Sequence, residues 1–255
     1  MRSKSRSLVS FVPGLAVAFA CTALALPAAA ESDDAPTDAK SAGAATVASA
    51  SPQSLPLYVP PKVGKPARTV GGGSRGPGDG LADLYVLVPD HVGQTTSEQP
   101  SLYWFIDEVP AAPLRIAFTL LDADGIDPLV QVTLPRPERA GIHRIRLADY
   151  AVKLEPGVEY EWSISLVPDE SARSRDIVST GFIDRVEAPG DLAAELAKSG
   201  PEGSARVYAA RGLWYDALTA LDEQISARPG DAQLTAARAS LLRQVGLEDV
   251  ANSKL

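Results

Sequence analysis

At Pro189-Gly190 the spacing of apolar residues changes from two to about 3.6, which divides the chain into a strand-forming part and a helix-forming part. Upstream, Leu114, Ile116, Phe118 and Leu120 point one way. So do Val158, Tyr160, Trp162, Ile164 and Leu166, with Glu159, Glu161, Ser163 and Ser165 opposite. Such alternation puts one face on a core and the other in water, as in antiparallel sheets. Short strands separated by turn residues are expected over 84–88, 102–106, 114–121, 129–134, 142–147, 158–167 and 177–183. Leu102-Tyr103-Trp104-Phe105 has bulky residues on both faces, which predicts core packing rather than an aromatic platform for sugar.

Downstream, Asp191 to Lys198 predicts a short helix stopped by Gly200-Pro201, and Val207 and Tyr208 mark a second ahead of Gly212. Trp214, Ala217, Leu218, Leu221 and Ile225 stripe a third, ended by Pro229-Gly230. Leu234, Ala237, Leu241, Leu242 and Val245 stripe a fourth, ended by Gly246. Tyr208, Gly212, Ala217, Leu221 and Pro229 resemble a tetratricopeptide repeat, whose period of about 34 residues also separates Gly212 from Gly246. The resemblance covers only one and a half repeats, too few to stand alone, so the helices are expected to pack on the strands. About seven strands in about 105 residues match an immunoglobulin-like sandwich. Leu154-Glu155-Pro156-Gly157-Val158-Glu159-Tyr160 resembles the tyrosine corner of fibronectin type III and related sandwiches, in which the Tyr hydroxyl bonds to backbone upstream. The expected fold is thus a β-rich chain with α: an immunoglobulin/fibronectin-III-like antiparallel β-sandwich followed by a small tetratricopeptide-like helical cap.

The amino terminus reads as an export signal. Arg2, Lys4 and Arg6 precede an apolar run over 8–26, and Ala28-Ala29-Ala30 precede the acidic Glu31-Ser32-Asp33-Asp34, which predicts cleavage after Ala30. Cys21, the only cysteine, lies inside this signal, so the mature chain would carry no thiol and no disulfide. Lipid attachment at Cys21 fits poorly, because Phe19 and Ala18 stand before it and apolar residues continue after it. Cleavage removes three basic residues and no acidic one, taking the formal charge from −8 to −11. With no lysine-arginine block, an acidic chain argues against nucleic acid as partner. Residues 31–57, rich in Ala, Ser, Asp, Thr and Pro, read as a disordered tether. Breakers from Tyr58 through Gly71-Gly72-Gly73-Ser74-Arg75-Gly76 predict an extended arm. The expected divisions are signal 1–30, tether 31–57, arm plus sandwich 58–187 and helical cap 188–255.

Several motifs touch on chemistry. Gly72-Gly73-Ser74-Arg75-Gly76 matches the nucleophile-elbow pattern, but Pro77-Gly78-Asp79-Gly80 cannot open the helix an elbow needs, so a structural turn is expected. The histidines, His91 and His143, are too few for a histidine-rich metal site; His143 reads as structural, on a strand face with Ile145 and Leu147. Asp122-Ala123-Asp124-Gly125-Ile126-Asp127 has calcium-like spacing without the closing glutamate, and Asp-Gly favours a hairpin turn. No cofactor and no metal is expected.

The chain also resembles the bacterial family called domain of unknown function 928. The match is carried by Tyr58, Pro60, Pro61, Gly64, Pro66, Arg68, Gly71 to Gly73, Arg75, Gly76, Pro100 and Tyr103-Trp104-Phe105. It continues through Leu154, Gly157, Tyr160, Trp162, Arg173-Ser174, Asp176, Gly181, Ile183, Arg185, Gly212 and Trp214-Tyr215-Asp216-Ala217-Leu218. Family members often have a cysteine after the Trp162 strand; here Val167-Pro168 stands there. The resemblance implies an exported bacterial protein, sometimes associated with membrane sensors. The expected function is a non-enzymatic envelope protein that binds an extracytoplasmic protein, periplasmic or extracellular, with no membrane span after cleavage. The alternative is a carbohydrate-binding or carbohydrate-cleaving envelope protein, which a cleft with facing carboxylates would favour. Arg75, Arg173 and Arg185 match the family pattern off the apolar stripes. They are the candidate binding residues, unless they pair with Asp176 and Asp184 or pin the arm.

Overall fold

Period-two alternation becomes two sheets around one core. The computed structural model describes residues 54–61, 82–110, 115–122 and 125–253. Its strands are β1 (Leu84–Val86), β2 (Gly93–Thr95), β3 (Ser101–Ile106), β4 (Arg115–Leu121), β5 (Pro128–Leu134), β6 (Gly141–Arg146), β7 (Glu159–Val167) and β8 (Ile177–Arg185). One sheet has the order β1-β3-β6 and the other β2-β8-β7-β4-β5. The seven expected strands are present, each with ends within two residues of expectation wherever those ends are described. β2 was not expected, and it pairs in parallel with β8, so the larger sheet is not wholly antiparallel.

Ile116, Phe118 and Leu120 of β4 and Tyr160, Trp162, Ile164 and Leu166 of β7 are buried on one face, as their alternation requires. The Ser179 hydroxyl of β8 accepts the Val86 N–H at 2.9 Å, which ties that face to the smaller sheet. Gly181 faces Trp162 in the register, and a Cβ there would lie 2.6 Å from Val88 Cγ1. The residue-bare position lets the indole and Val88 share that space.

All six residues of β3 are buried, because both of its faces are covered. One turns Trp104 toward the core, with its ring 4.7 Å from that of its cross-strand partner His143. The other carries Tyr103, whose hydroxyl donates to Asp222 in the helical layer at 3.2 Å. That layer comprises α1 (Leu192–Ala210), α2 (Trp214–Ala227), α3 (Ala232–Arg243) and α4 (Glu248–Asn252). Gly200, at φ 65° and followed by Pro201, breaks α1 where the expected stop lies. The helices pack on the strands: Trp214 Nε1 donates to the Leu87 carbonyl at 2.9 Å, and the Tyr85 hydroxyl to Asp249 at 3.0 Å. No helix among the described residues is long and apolar enough to cross a membrane.

The arm docks on this layer. The Tyr58 N–H donates to Gln244 Oε1 at 2.8 Å and the Val59 N–H to the Ala209 carbonyl at 3.0 Å. The Tyr58 ring stacks on His91 and meets Trp214 edge-on. Its hydroxyl bonds His91 Nε2 at 2.8 Å, and burial raises its pKa.

Candidate functional site

The turn at Gly212, φ 74°, folds α1 and α2 into a hairpin, and the hairpin sets α2 beside the segment joining β2 to β3. Between them lies a cavity of about 640 Å³. α2 contributes Asp216, Thr219, Ala220, Glu223, Gln224 and Ala227, a stripe at helical spacing. The opposite wall contributes Thr95, Ser97, Gln99, Pro100 and Ser101, from a bent segment held by bonds of the Ser97 N–H to the Thr95 hydroxyl and of the Gln99 N–H to the Ser97 hydroxyl. Pro201, Ser204 and Tyr208 of α1 close a third side.

The Asp216 carboxylate stands in the first turn of α2, where the helix dipole favours it. It accepts the Thr96 N–H at 2.9 Å and the Thr96 hydroxyl at 3.4 Å. Burial nevertheless outweighs these bonds and pushes its pKa up to about 6. Burial, with Asp216 and Glu223 nearby, also raises the Tyr208 hydroxyl. Gln224 Nε2 donates to the Pro201 carbonyl at 3.0 Å, while its Oε1 is buried without a partner among the described residues. Neither Lys, Arg nor His is among the described residues of the cavity wall.

The residues singled out from sequence lie elsewhere. Arg75 and the Gly72 to Gly76 motif fall outside the described residues. Arg173 Nε pairs with Asp176 Oδ2 at 2.6 Å, within one turn before β8. Arg185 ends β8, where its Nη1 donates to the Leu154 carbonyl at 2.8 Å rather than to Asp184. The Nε of Arg185 and Asp184 Oδ1 are buried without partners among the described residues, and burial and the Glu159 charge raise the Asp184 pKa. Eight residue steps of β8 separate its ends, about 26 Å of strand, so Arg173 and Arg185 are not brought together. His143 Nε2 bonds the Arg139 carbonyl at 3.1 Å, and burial lowers its pKa. The Gly125 N–H donates to the Asp122 carbonyl at 3.1 Å, closing a turn; Ala123 and Asp124 are outside the described residues.

The cavity was not anticipated. Asp216 stood in the sequence only as part of Trp214-Tyr215-Asp216-Ala217, and the run Thr95-Thr96-Ser97-Glu98-Gln99-Pro100-Ser101 is polar throughout, with no periodic signal for the opposite wall.

The family model described as Domain of Unknown Function (DUF928) matches residues 70–255. No curated protein matches. Among solved structures, the fn3 domain of human collagen alpha-1(XX) chain is 14% identical, with 47% of this chain and 91% of that chain covered and a TM-score of 0.26. Astrotactin-2, described as a conserved vertebrate-specific and perforin-like membrane protein involved in neuronal development, is 15% identical. There 68% of this chain and 36% of that chain are covered, with a TM-score of 0.28. Neither likeness carries an argument at such TM-scores.

Proposed function

The chain belongs to the family described as Domain of Unknown Function (DUF928), and on that premise we propose that it is an exported, non-enzymatic interaction protein that holds an extended polypeptide segment of an envelope partner in the cleft along α2. The finer architecture of this reading is an immunoglobulin- or fibronectin-III-like sandwich capped by a tetratricopeptide-like hairpin, carried outside the cytoplasm by the signal at 1–30.

The observation that carries the reading is the length of the helical wall of the cleft. The stripe from Asp216 to Ala227 runs about 16 Å along the helix axis, the length of about five extended residues. The facing wall is the bent segment from Thr95 to Ser101, which lines the cleft with Thr95, Ser97, Gln99, Pro100 and Ser101. An elongated groove along a helix stripe suits an extended chain better than a compact small molecule. Asp216 is bonded to the Thr96 backbone, which fits a structural carboxylate. The carbohydrate-cleaving alternative needs carboxylates on opposite sides of a sugar, about 5–9.5 Å apart. Asp216 and Glu223 stand on one face of one helix, about 10 Å apart along its axis.

A photocrosslinking residue in place of Thr219 of the full-length chain, made in its native cells, tests the reading. Val178, exposed on β8, serves as the comparison position. The expected result is one discrete extracytoplasmic polypeptide crosslinked from 219 and not from 178. Adducts at 219 that contain glycan and no polypeptide would sink it.

A further inference from the structure

We propose that the outer edge of β5 pairs antiparallel with the β5 edge of a second copy of this chain, joining the two larger sheets into one across a two-fold axis. This surface stands independently of the cleft and of what the cleft holds.

An edge strand offers unpaired backbone N–H and C=O groups to any other chain, and folded proteins protect such edges by making them short, covered or charged. The two sheets have their edges at β1, β6, β2 and β5. β1 has three residues, and its Val86 N–H is taken by the Ser179 hydroxyl. β2 also has three residues, and α2 lies against it with the Tyr215 ring at Gly93. β6 carries Arg144 and Arg146. β5 is different. It runs for seven residues, Pro128-Leu129-Val130-Gln131-Val132-Thr133-Leu134, without a charged side chain, and among the described residues no strand lies beyond it. Pro128 and the register shift beside it affect only the start of the strand, since Val130 to Leu134 pair with β4 in unbroken register. Val130, Val132 and Leu134 turn to the core, while Gln131 and Thr133 are exposed. Next to them two large apolar residues stand in solvent, Leu129 at 44% and Ile126 at 81% exposure.

The flanks of β5 select the occupant and its direction. Before the strand come Asp122, Asp124 and Asp127 with no basic residue, and after it come Arg136 and Arg139 against the one acid Glu138. Asp127, Arg136 and Arg139 are exposed, and the Arg136 guanidinium bonds a neutral group, the Pro110 carbonyl. A parallel copy would set acid beside acid and base beside base. An antiparallel copy sets the acidic flank of each chain beside the basic flank of the other, twice over by symmetry, and the uncharged strands between them pair without burying a charge. With the axis at Val132, Gln131 of each copy stands directly opposite Thr133 of the other, at a Cα separation of about 4.5–5.5 Å.

The test is analytical ultracentrifugation of the chain from Glu31 to Leu255. Wild type should show a reversible monomer–dimer equilibrium by about 100 µM, since an interface built on one strand pair is small. Two double variants place like charges across the axis: Gln131→Lys with Thr133→Lys, and Gln131→Glu with Thr133→Glu. Both positions are exposed, so the thermal melts should stay near wild type. Each variant alone should dimerise about tenfold more weakly or less still, because like charges then face each other directly. An equimolar mixture of the two should regain association of wild-type strength or better, because Lys then faces Glu. A wild type that remains monomeric at about 100 µM, variants that dimerise as wild type does, or a mixture that associates no more than its components would each overturn the proposal.

Discussion

The Trp162 indole N–H donates to the Tyr215 hydroxyl at 3.0 Å, and that hydroxyl donates in turn to the Phe182 carbonyl at 2.9 Å. One phenol therefore joins β7, β8 and α2. Both rings are fully buried, and burial raises the Tyr215 pKa, so the hydroxyl keeps its proton and its donor role. The Tyr215 ring also lies where a Cβ on Gly93 would stand, 2.7 Å from its Cε2, so β2 approaches α2 closely only through glycine.

Tyr215→Phe keeps the ring and removes the hydroxyl. It leaves the Trp162 N–H without an acceptor and the Phe182 carbonyl without this donor. Two buried groups at about 1–3 kcal/mol each suggest a loss of about 2–4 kcal/mol, given partial relaxation. Urea unfolding measures it, and a loss below about 0.5 kcal/mol, the range of ordinary surface changes, would contradict the bonding described.

Tyr160→Phe tests the corner that the sequence resembles. The Glu155 N–H donates to the Tyr160 hydroxyl at 2.9 Å, and the Arg185 guanidinium donates to the neighbouring Leu154 carbonyl. Removing the hydroxyl should cost about 1–3 kcal/mol. A thermal melt that superimposes on wild type would remove the corner as a source of stability.

Gly212→Ala should release the arm. At φ 74° a side chain is strained by about 1–2 kcal/mol, and the new Cβ would lie 2.9 Å from the Val59 carbonyl oxygen. That oxygen is backbone and yields only if residues 58–61 lift. The expected outcome is faster limited proteolysis within 54–61, with the sheets still protected. Cleavage there at the wild-type rate would mean that the arm tolerates the contact.

What the sequence made legible follows from local periodicity. The alternation of β4 and β7 located a buried face because each strand is long enough to repeat its pattern. β2 repeats nothing: Gly93-Gln94-Thr95 contains no large apolar residue, and its place depends on β8 and on the Tyr215 ring. The double burial of Tyr103-Trp104-Phe105 was readable, but not that Asp222 and Asp249 bring the helices over one face of that sheet. The cleft was hidden for the same reason. Its walls, 95–101 and 201–227, are distant in sequence and use ordinary Ser, Thr, Gln and Glu, whose meaning comes only from facing one another. Arginines were conspicuous one at a time, yet Arg173 is engaged locally by Asp176, and Arg185 serves the Leu154 carbonyl at the far end of β8.

Asp216 gives the chain a specific dependence on pH. Its folded pKa of about 6 lies above the ordinary aspartate value of 3.8 because burial disfavours the ionised carboxylate. Below about pH 4 the group is protonated in both states and the penalty is absent. As pH rises from about 4 to about 6, the unfolded chain gives up this proton first. The folded state then binds more protons than the unfolded one, and stability falls. Above about pH 6 both states are ionised, and the whole penalty persists. Asp216→Asn can still accept the Thr96 N–H but does not titrate. Denaturant unfolding of the two proteins between about pH 4 and about pH 7 should therefore show wild type losing about 1–3 kcal/mol relative to Asp216→Asn, allowing for screening at a site open to the cleft. A stability difference that stays constant over that range, or that moves in favour of wild type as pH rises, would show that Asp216 is not ionised at a cost.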